Sequence, residues 1–404
     1  MRKEKKYLHY GHQDIDEADI KSVLNVLKSD FLTTGPEVEK FESEISRYTG
    51  SKYTVVCSSG STALVLACMA IGIKKDSVVF VPSITFAASA NAAKVLGAKI
   101  IFCDCCPESG LVLPEDLKIA IKNVKFKEAF FIGVHMNGQC INLEEISKLC
   151  KKFNIRIIED ASHALGTIHK SKNGKLSKIG SCFYSDLTVF SFHPVKTITM
   201  GEGGAVTTNN KKFYDLLKLY RNNGIERNYK KFKNKNLSKD SEGNLDQSYY
   251  ELHDVGFNFR ASDIHCALGR SQLRKLDSFI ETRKKLVRLY NSLFEEQVKI
   301  IKPVKQFACS KTSYHLYVVL IKFSMLKISK ARMMKILKHE KIGSMVHYIP
   351  LHLQPFYNSK KQLSGSESYF RDCLSLPLHT KMTFSDVKFV VEKVKKILTK
   401  NILK

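Results

Sequence analysis

The sequence predicts an α/β protein: a large unit built on a mainly parallel sheet, followed by a smaller α+β unit at the C-terminal end. Two observations carry this expectation. Short apolar, β-branched runs alternate with helix-length segments from Tyr53 to about Asn210, and connections of that length suit parallel strands with helices on both faces. Farther on, Leu276, Phe279, Ile280, Leu286, Tyr290 and Leu293 fall near helical spacing, so Leu273 to Leu293 reads as one long amphipathic helix at the junction. The expected units are residues 1–280 and 281–404, and 404 residues with 44% hydrophobic content can bury a large core.

Taken in order, Tyr53 to Cys57 is a β-branched run that passes through Ser58, Ser59 and Gly60 into a helix over 61–71. Strands follow at 78–81, 99–103, 129–134 and 155–159, with helices at 86–96, 115–122 and 143–153 between them. Leu187 to Phe192 is a further buried strand by its content, and the Pro and Gly residues after it stop a helix from starting there. The C-terminal portion carries a strand from His315 to Lys322 and a helix from Lys330 to His339. No repeat or low-complexity segment is apparent.

Chemistry concentrates at strand ends. Lys196 follows the strand ending near Phe192, where open α/β sheets place ligands, and an amine among apolar neighbours loses charge stabilisation and becomes a better nucleophile. With 65 Lys and Arg in the chain, a solvated surface lysine is the bland alternative. The strand Ile155 to Glu159 ends in Asp160, a carboxylate that could bond a cofactor's pyridine nitrogen, with His163 just beyond it in reach of a phenolic oxygen; capping of a following helix is Asp160's ordinary role. The turn before helix 61–71 offers free amides and the positive end of a helix dipole to an anion, with Ser61, Thr62 and Ser191 as hydroxyl donors, although any such turn favours these residue types.

These elements, with Val81-Pro82-Ser83-Ile84-Thr85-Phe86, Val134-His135-Met136-Asn137-Gly138-Gln139, Gly256-Phe257-Asn258-Phe259-Arg260 and His347-Tyr348-Ile349-Pro350-Leu351-His352, resemble the nucleotide-sugar aminotransferases nearly end to end. Those are aspartate-aminotransferase-like enzymes of fold type I that use pyridoxal 5'-phosphate (PLP). The resemblance implies that Lys196 holds PLP covalently, Asp160 meets its ring nitrogen, Phe86 stacks on its ring, and Ser61, Thr62 and Ser191 hold its phosphate. It implies that Asn258 reaches the same phosphate in a neighbouring subunit, hence a homodimer with shared sites, and it offers Tyr10, His12, Arg260, His347, Tyr348 and His352 as sugar or nucleotide contacts. His163, where many members have Gln, together with Leu32-Thr33-Thr34-Gly35-Pro36 and His193-Pro194-Val195-Lys196-Thr197, looks most like the aminotransferases of pseudaminic acid biosynthesis. That implies transfer of the amino group of L-glutamate to C4 of a UDP-linked 4-keto-6-deoxy-N-acetyl sugar. A transaminase of another nucleotide-linked keto sugar is the alternative; dehydratase relatives have histidine where this chain has Lys196. The stretch from Glu226 to Tyr250, with Lys230, Lys231, Lys233 and Lys235, is longer than usual for the family and reads as a surface insertion.

The formal net charge of +26 raises a rival class, nucleic-acid binding, since basic surfaces attract phosphate backbones. The lysines are spread along the whole chain without a recognition-helix, zinc-finger or RNP-type pattern, so the charge argues for anionic substrates rather than for a specific nucleic acid. The 11 cysteines lack the paired spacing of a zinc site and read as reduced thiols, and no metal is expected. No apolar run follows the charges of Met1 to Lys6, and no stretch approaches the roughly 20 apolar residues of a membrane span, so a soluble cytoplasmic protein is expected.

Overall fold

The computed structural model describes residues 7–297 and 299–403. Its centre is a seven-stranded sheet whose spatial order is Tyr53–Cys57, Gly204–Thr208, Leu187–Ser191, Ile155–Asp160, Ala129–Val134, Val78–Pro82 and Lys99–Cys103. Adjacent residues on the inner strands point to opposite faces and enter different cores. Phe131 and Phe190 pack with Phe41, Phe80 and Leu276 on one side, while Phe130, Ile132, Leu187 and Val189 pack with Leu64, Leu66 and Leu217 on the other. Burial on both faces explains why these strands read as unbroken apolar runs rather than as alternating ones.

The predicted strands and helices of this unit are present within a residue or two. The helix after the first strand runs Gly60–Ile71, its N-terminus closed by a reciprocal capping box between Ser59 and Thr62. One strand of the seven-stranded sheet was not expected. Gly204–Thr208 runs antiparallel to both its neighbours, because residues 192–203 return the chain directly beside Leu187–Ser191 with no helical crossover. The remaining paired strands of this sheet are parallel.

The long helix expected over 273–293 is present as Leu276–Phe294, and a separate helix, Asp263–Leu273, ends just before it. The break is a tertiary anchor: Lys275 makes ion pairs of 2.6 Å to Asp19 and 2.9 Å to Asp16, and the Gln272 amide also donates to Asp19 at 2.7 Å. Apolar spacing continues across this point and so does not register it. Leu276 and Ile280 lie in the core of the large sheet, whereas Leu286, Val287, Tyr290 and Phe294 belong to a separate core with Val319, Leu374, Val390 and Leu398. We propose that the two units meet on this helix near residue 280. The smaller one contains a three-stranded antiparallel sheet in the order Ile301–Pro303, Tyr317–Ile321, Cys373–Leu376 and the helices Lys330–His339 and Phe384–Asn401.

The basic stretch after Glu226 leaves and returns at one place, where Ile225–Glu226 pairs antiparallel with Glu251–Leu252. Lys230, Lys233 and Lys235 are exposed, while Phe232 and Ser238 tuck underneath. No helix among the described residues is long and apolar enough to cross a membrane.

Candidate active site

The carboxyl ends of Tyr53–Cys57, Leu187–Ser191, Ile155–Asp160 and Ala129–Val134 share one edge of the sheet, and a cavity of about 570 Å³ opens there. Lys196 lies on its wall. The loop that carries this residue is pinned at its neck, where the Phe192 amide donates to the Gly203 carbonyl at 2.8 Å and the Met200 amide to the Phe192 carbonyl at 3.0 Å. The lysine therefore projects from a fixed base at the junction of two strands. Desolvation lowers its pKa from 10.5 to about 8, against the opposing pull of the Asp160 charge. It is a half-buried amine tuned toward the neutral form, unlike the solvated lysines of the surface.

Asp160 is 5% exposed and does not cap a helix, since none follows it. Its carboxylate is oriented by short bonds from both sides: Ser89 Oγ donates to Oδ2 at 2.6 Å, and Ser162 donates to Oδ1 from its hydroxyl at 2.6 Å and its amide at 3.1 Å. Because the Ser89 proton is committed to Asp160, the 2.7 Å contact between Thr85 and Ser89 makes Thr85 the donor of that pair. Ser89 sits in the helix Ala87–Lys94 among alanines, where nothing in the local pattern marks it as a partner of a strand-end carboxylate.

The opposite wall is the turn at Ser59 and Gly60. A side-chain carbon on Gly60 would lie 2.7 Å from Ser191 Cβ, so this glycine lets the helix N-terminus approach the strand end closely. Gly60, Ser61 and Ser191 all line the cavity, and the first amides of the helix have no intrahelical acceptors. Thr62 does not line it. Its hydroxyl is engaged with Ser59, donating to that carbonyl at 2.9 Å and accepting from that amide at 2.9 Å, so it shapes the turn.

Phe86 borders the opening with 58% of its surface exposed, its ring 6.0 Å from that of Tyr348. Tyr348 and His347 arrive from the C-terminal unit, and Tyr10 from the N-terminal segment; all three line the cavity, and the Tyr348 hydroxyl lies 3.2 Å from His163 Nε2. His163 Nδ1 is buried without a partner, and burial beside the Lys196 charge pushes the imidazole well below its usual range. His347 Nδ1 is held by Ser375 Oγ at 2.7 Å, and burial lowers this ring to about 3. A third imidazole, His315, was not anticipated. Its ring centre is 4.4 Å from that of His163, its Nδ1 is likewise buried and unpartnered, and burial again holds it neutral. His315 opens a strand in the sequence, and strand residues of this kind carry no local sign of facing a cavity.

Four other candidates lie away from this wall. His352 is 1% exposed and bridges Ser83 Oγ (2.6 Å) and Glu367 (3.2 Å), a packing role. His12 faces a different pocket with His9 and His379. Arg260 donates to Asn222 Oδ1 at 2.7 Å, and Asn258 is exposed on the same loop, whose Phe259 carbonyl accepts from the Ser58 amide at 2.9 Å. Asn258 thus sits beside the Ser58–Gly60 turn without entering its own chain's cavity.

A buried carboxylate, an amine of depressed basicity, a helix N-terminus with flanking hydroxyls, an exposed ring and a buried imidazole with one unpartnered nitrogen together fit a flat, phosphorylated pyridine aldehyde. Comparison with known proteins agrees. A UDP-4-amino-4,6-dideoxy-N-acetyl-beta-L-altrosamine transaminase of Campylobacter jejuni is 37% identical over 398 residues, covering 97% of each chain. The spore coat polysaccharide biosynthesis protein SpsC of Bacillus subtilis is 30% identical over 406 residues, covering 98% of this chain and 99% of that one. Among solved structures, PseC of Helicobacter pylori, an aminotransferase of pseudaminic acid biosynthesis, superposes with a TM-score of 0.85 at 28% identity, covering 98% of this chain and all of that one. A sugar aminotransferase of Streptococcus pneumoniae in its PLP form gives 0.84 at 26%, covering 98% and 99%. The model of the DegT/DnrJ/EryC1/StrS aminotransferase family matches residues 13–395, and the chain belongs to that family of PLP-dependent sugar aminotransferases.

Proposed function

We propose that this protein transfers the amino group of L-glutamate to C4 of a UDP-linked 4-keto-6-deoxy-N-acetyl sugar, in the cytoplasm, as a step in making a pseudaminic-type nonulosonic acid. The observation that carries the aminotransferase reading is the meeting of Lys196, Asp160 and the Gly60–Ile71 N-terminus around one cavity. What supports the particular sugar is 36–37% identity, over nearly the whole chain, to two Campylobacter jejuni transaminases named for that product.

PLP, when bound, supplies a carbon that takes up the amino group and a ring that accepts the electron pair left on the donor. The protein does the rest. Lys196 Nζ, with a pKa near 8, is poised both to take a proton from the amino donor's Cα and to return it, and being part of the cavity wall it does so without a bulk-water intermediary. Asp160, fixed by Ser89 and Ser162, presents a charge-assisted acceptor to the ring nitrogen. The Ser59–Ser61 turn and Ser191 receive the phosphate. If the Tyr348 hydroxyl donates to His163 Nε2, the imidazole proton lies on Nδ1 and would be a donor to the phenolic oxygen of the bound cofactor. Neutral histidines around the amine matter, since a charged one would depress its basicity further. We further propose a homodimer in which Asn258 of each subunit serves the other's phosphate site.

The test is to trap the cofactor with borohydride and map the modified peptide, then to offer the enzyme L-glutamate and a panel of UDP-, dTDP- and GDP-linked 3- and 4-keto sugars. Mass and NMR should report an adduct on Lys196 and amination at C4 of the UDP sugar. An adduct on another lysine would overturn the site, and preference for a different keto sugar would overturn the substrate.

A further inference from the structure

We propose that Cys309, on the wall of a second cavity, is a site of thiol modification, and that Cys140 behind it closes a disulfide with it. Of the cysteines, ten are buried and Cys309 is partly exposed. The second cavity, about 650 Å³, opens between the starts of the helices Pro114–Lys122 and Leu143–Lys152 and the segment Phe307–Cys309, and shares no lining residue with the cavity of Lys196. A reagent can therefore enter it without passing through the active site.

The two thiols are in contact. The Cys140 sulfur lies 3.6 Å from the Cys309 carbonyl and against the Cys309 side chain, so its one proton can serve either acceptor. Turned to the Cys309 sulfur instead, the Cys140 S–H stabilises a thiolate there and holds the Cys309 pKa below the ordinary thiol value, while the Cys140 thiol is raised well above it. Burial moves thiols elsewhere upward, Cys57 to about 11 and Cys150 and Cys182 to about 12. Since the thiolate is the nucleophile, Cys309 unites the two requirements that the other cysteines lack, access and anionic character. The cavity's charges are mixed, Lys170 and Lys172 against Glu115, Glu144 and Glu145, so they do not select the reagent.

With a low-mass disulfide RSSR as oxidant, the Cys309 thiolate attacks one sulfur, forming a mixed disulfide and releasing RS⁻. Cys140 gives up its proton to RS⁻ and attacks the Cys309 sulfur, and the second RS⁻ leaves; the two cysteines lose two electrons and RSSR becomes two thiols. Once Cys309 is bonded, the largest cause of the raised Cys140 pKa is removed, which favours the second step. The cross-link would join two segments that already bond each other, through Cys140 N to Ser310 Oγ (3.1 Å) and Gln139 Nε2 to the Lys305 carbonyl (3.0 Å). Each continues to the active cavity, one through Met136 and the other through His315.

The test uses PLP-loaded protein. Brief alkylation with iodoacetamide, followed by peptide mass mapping, should modify Cys309 about tenfold faster than any other cysteine. Incubation with oxidised glutathione should yield a linked peptide pair containing Cys140 and Cys309 that has lost two hydrogens. Cys140→Ser should stop at one glutathionyl group on Cys309. Faster alkylation of another cysteine, or glutathione treatment that leaves Cys309 free or stalls the unsubstituted protein at the mixed disulfide, would overturn the proposal without reliance on the variant.

Discussion

Lys196→Met should make the cofactor-free protein more stable at neutral pH while abolishing its chemistry. The native pKa of Lys196 is about 8, against 10.5 for the free side chain. Below pH 8 both folded and unfolded states hold the proton, and the folded state carries the full cost of a desolvated charge. Between pH 8 and 10.5 the unfolded chain binds a proton that the folded chain does not, so stability rises with pH through that window. Above 10.5 both are neutral and the penalty is gone. A shift of this size corresponds to about 3 kcal/mol at about 1.36 kcal/mol per pH unit, and the partial opening of the side chain to the cavity brings the expected figure to about 2 to 3 kcal/mol. Urea unfolding of both proteins from pH 7 to 10, followed by circular dichroism because the chain has no tryptophan, isolates this one group, since other titrations cancel in the difference. The advantage of the methionine variant should be largest at pH 7 and shrink steadily toward pH 10. A difference that does not change with pH, or a variant less stable at pH 7, would refute the assignment of Lys196 as a desolvated amine.

Ser89→Ala removes the 2.6 Å donor to buried Asp160 and strands Thr85; cofactor affinity measured by absorbance titration should fall about 10- to 100-fold, as expected for loss of a bond to a charged group. Ser162→Ala should lose less, because the Ser162 amide still donates to the same carboxylate oxygen, and equal losses would count against the relay. Gly60→Ala forces a carbon within 2.7 Å of Ser191 Cβ and should lower stability by about 1 to 3 kcal/mol together with cofactor retention; unchanged unfolding midpoint and affinity would show the close approach to be unimportant. Asn258→Ala and Lys196→Ala subunits, each inactive or weakened alone, should regain activity when mixed if each Asn258 serves its neighbour; heterodimers verified by mass that show no recovery would favour self-contained sites.

What the sequence determined by itself was local. Apolar runs such as Ala129–Val134 are read as strands because burial on both faces leaves no room for polar residues, and chain punctuation by Gly and Pro marks where Lys196 leaves its strand. Strand ends in such a sheet share one edge, so Lys196, Asp160 and the Ser59–Ser61 turn were foreseeable as neighbours once the alternation of elements was seen. The tertiary structure decided which partners complete them. Ser89 reaches Asp160 from the helix Ala87–Lys94, His315 and Tyr348 come from segments far along the chain, and His352 is drawn instead into a buried bridge between Ser83 and Glu367. The antiparallel return of Gly204–Thr208 and the break before Leu276 are likewise set by contacts distant in the chain, the first by pairing on both sides and the second by Lys275 with Asp16 and Asp19. Periodicity records how much of each residue is buried, and that is a property of one segment. The identity of a hydrogen-bond partner depends on which segments are packed together, and no single segment carries that information.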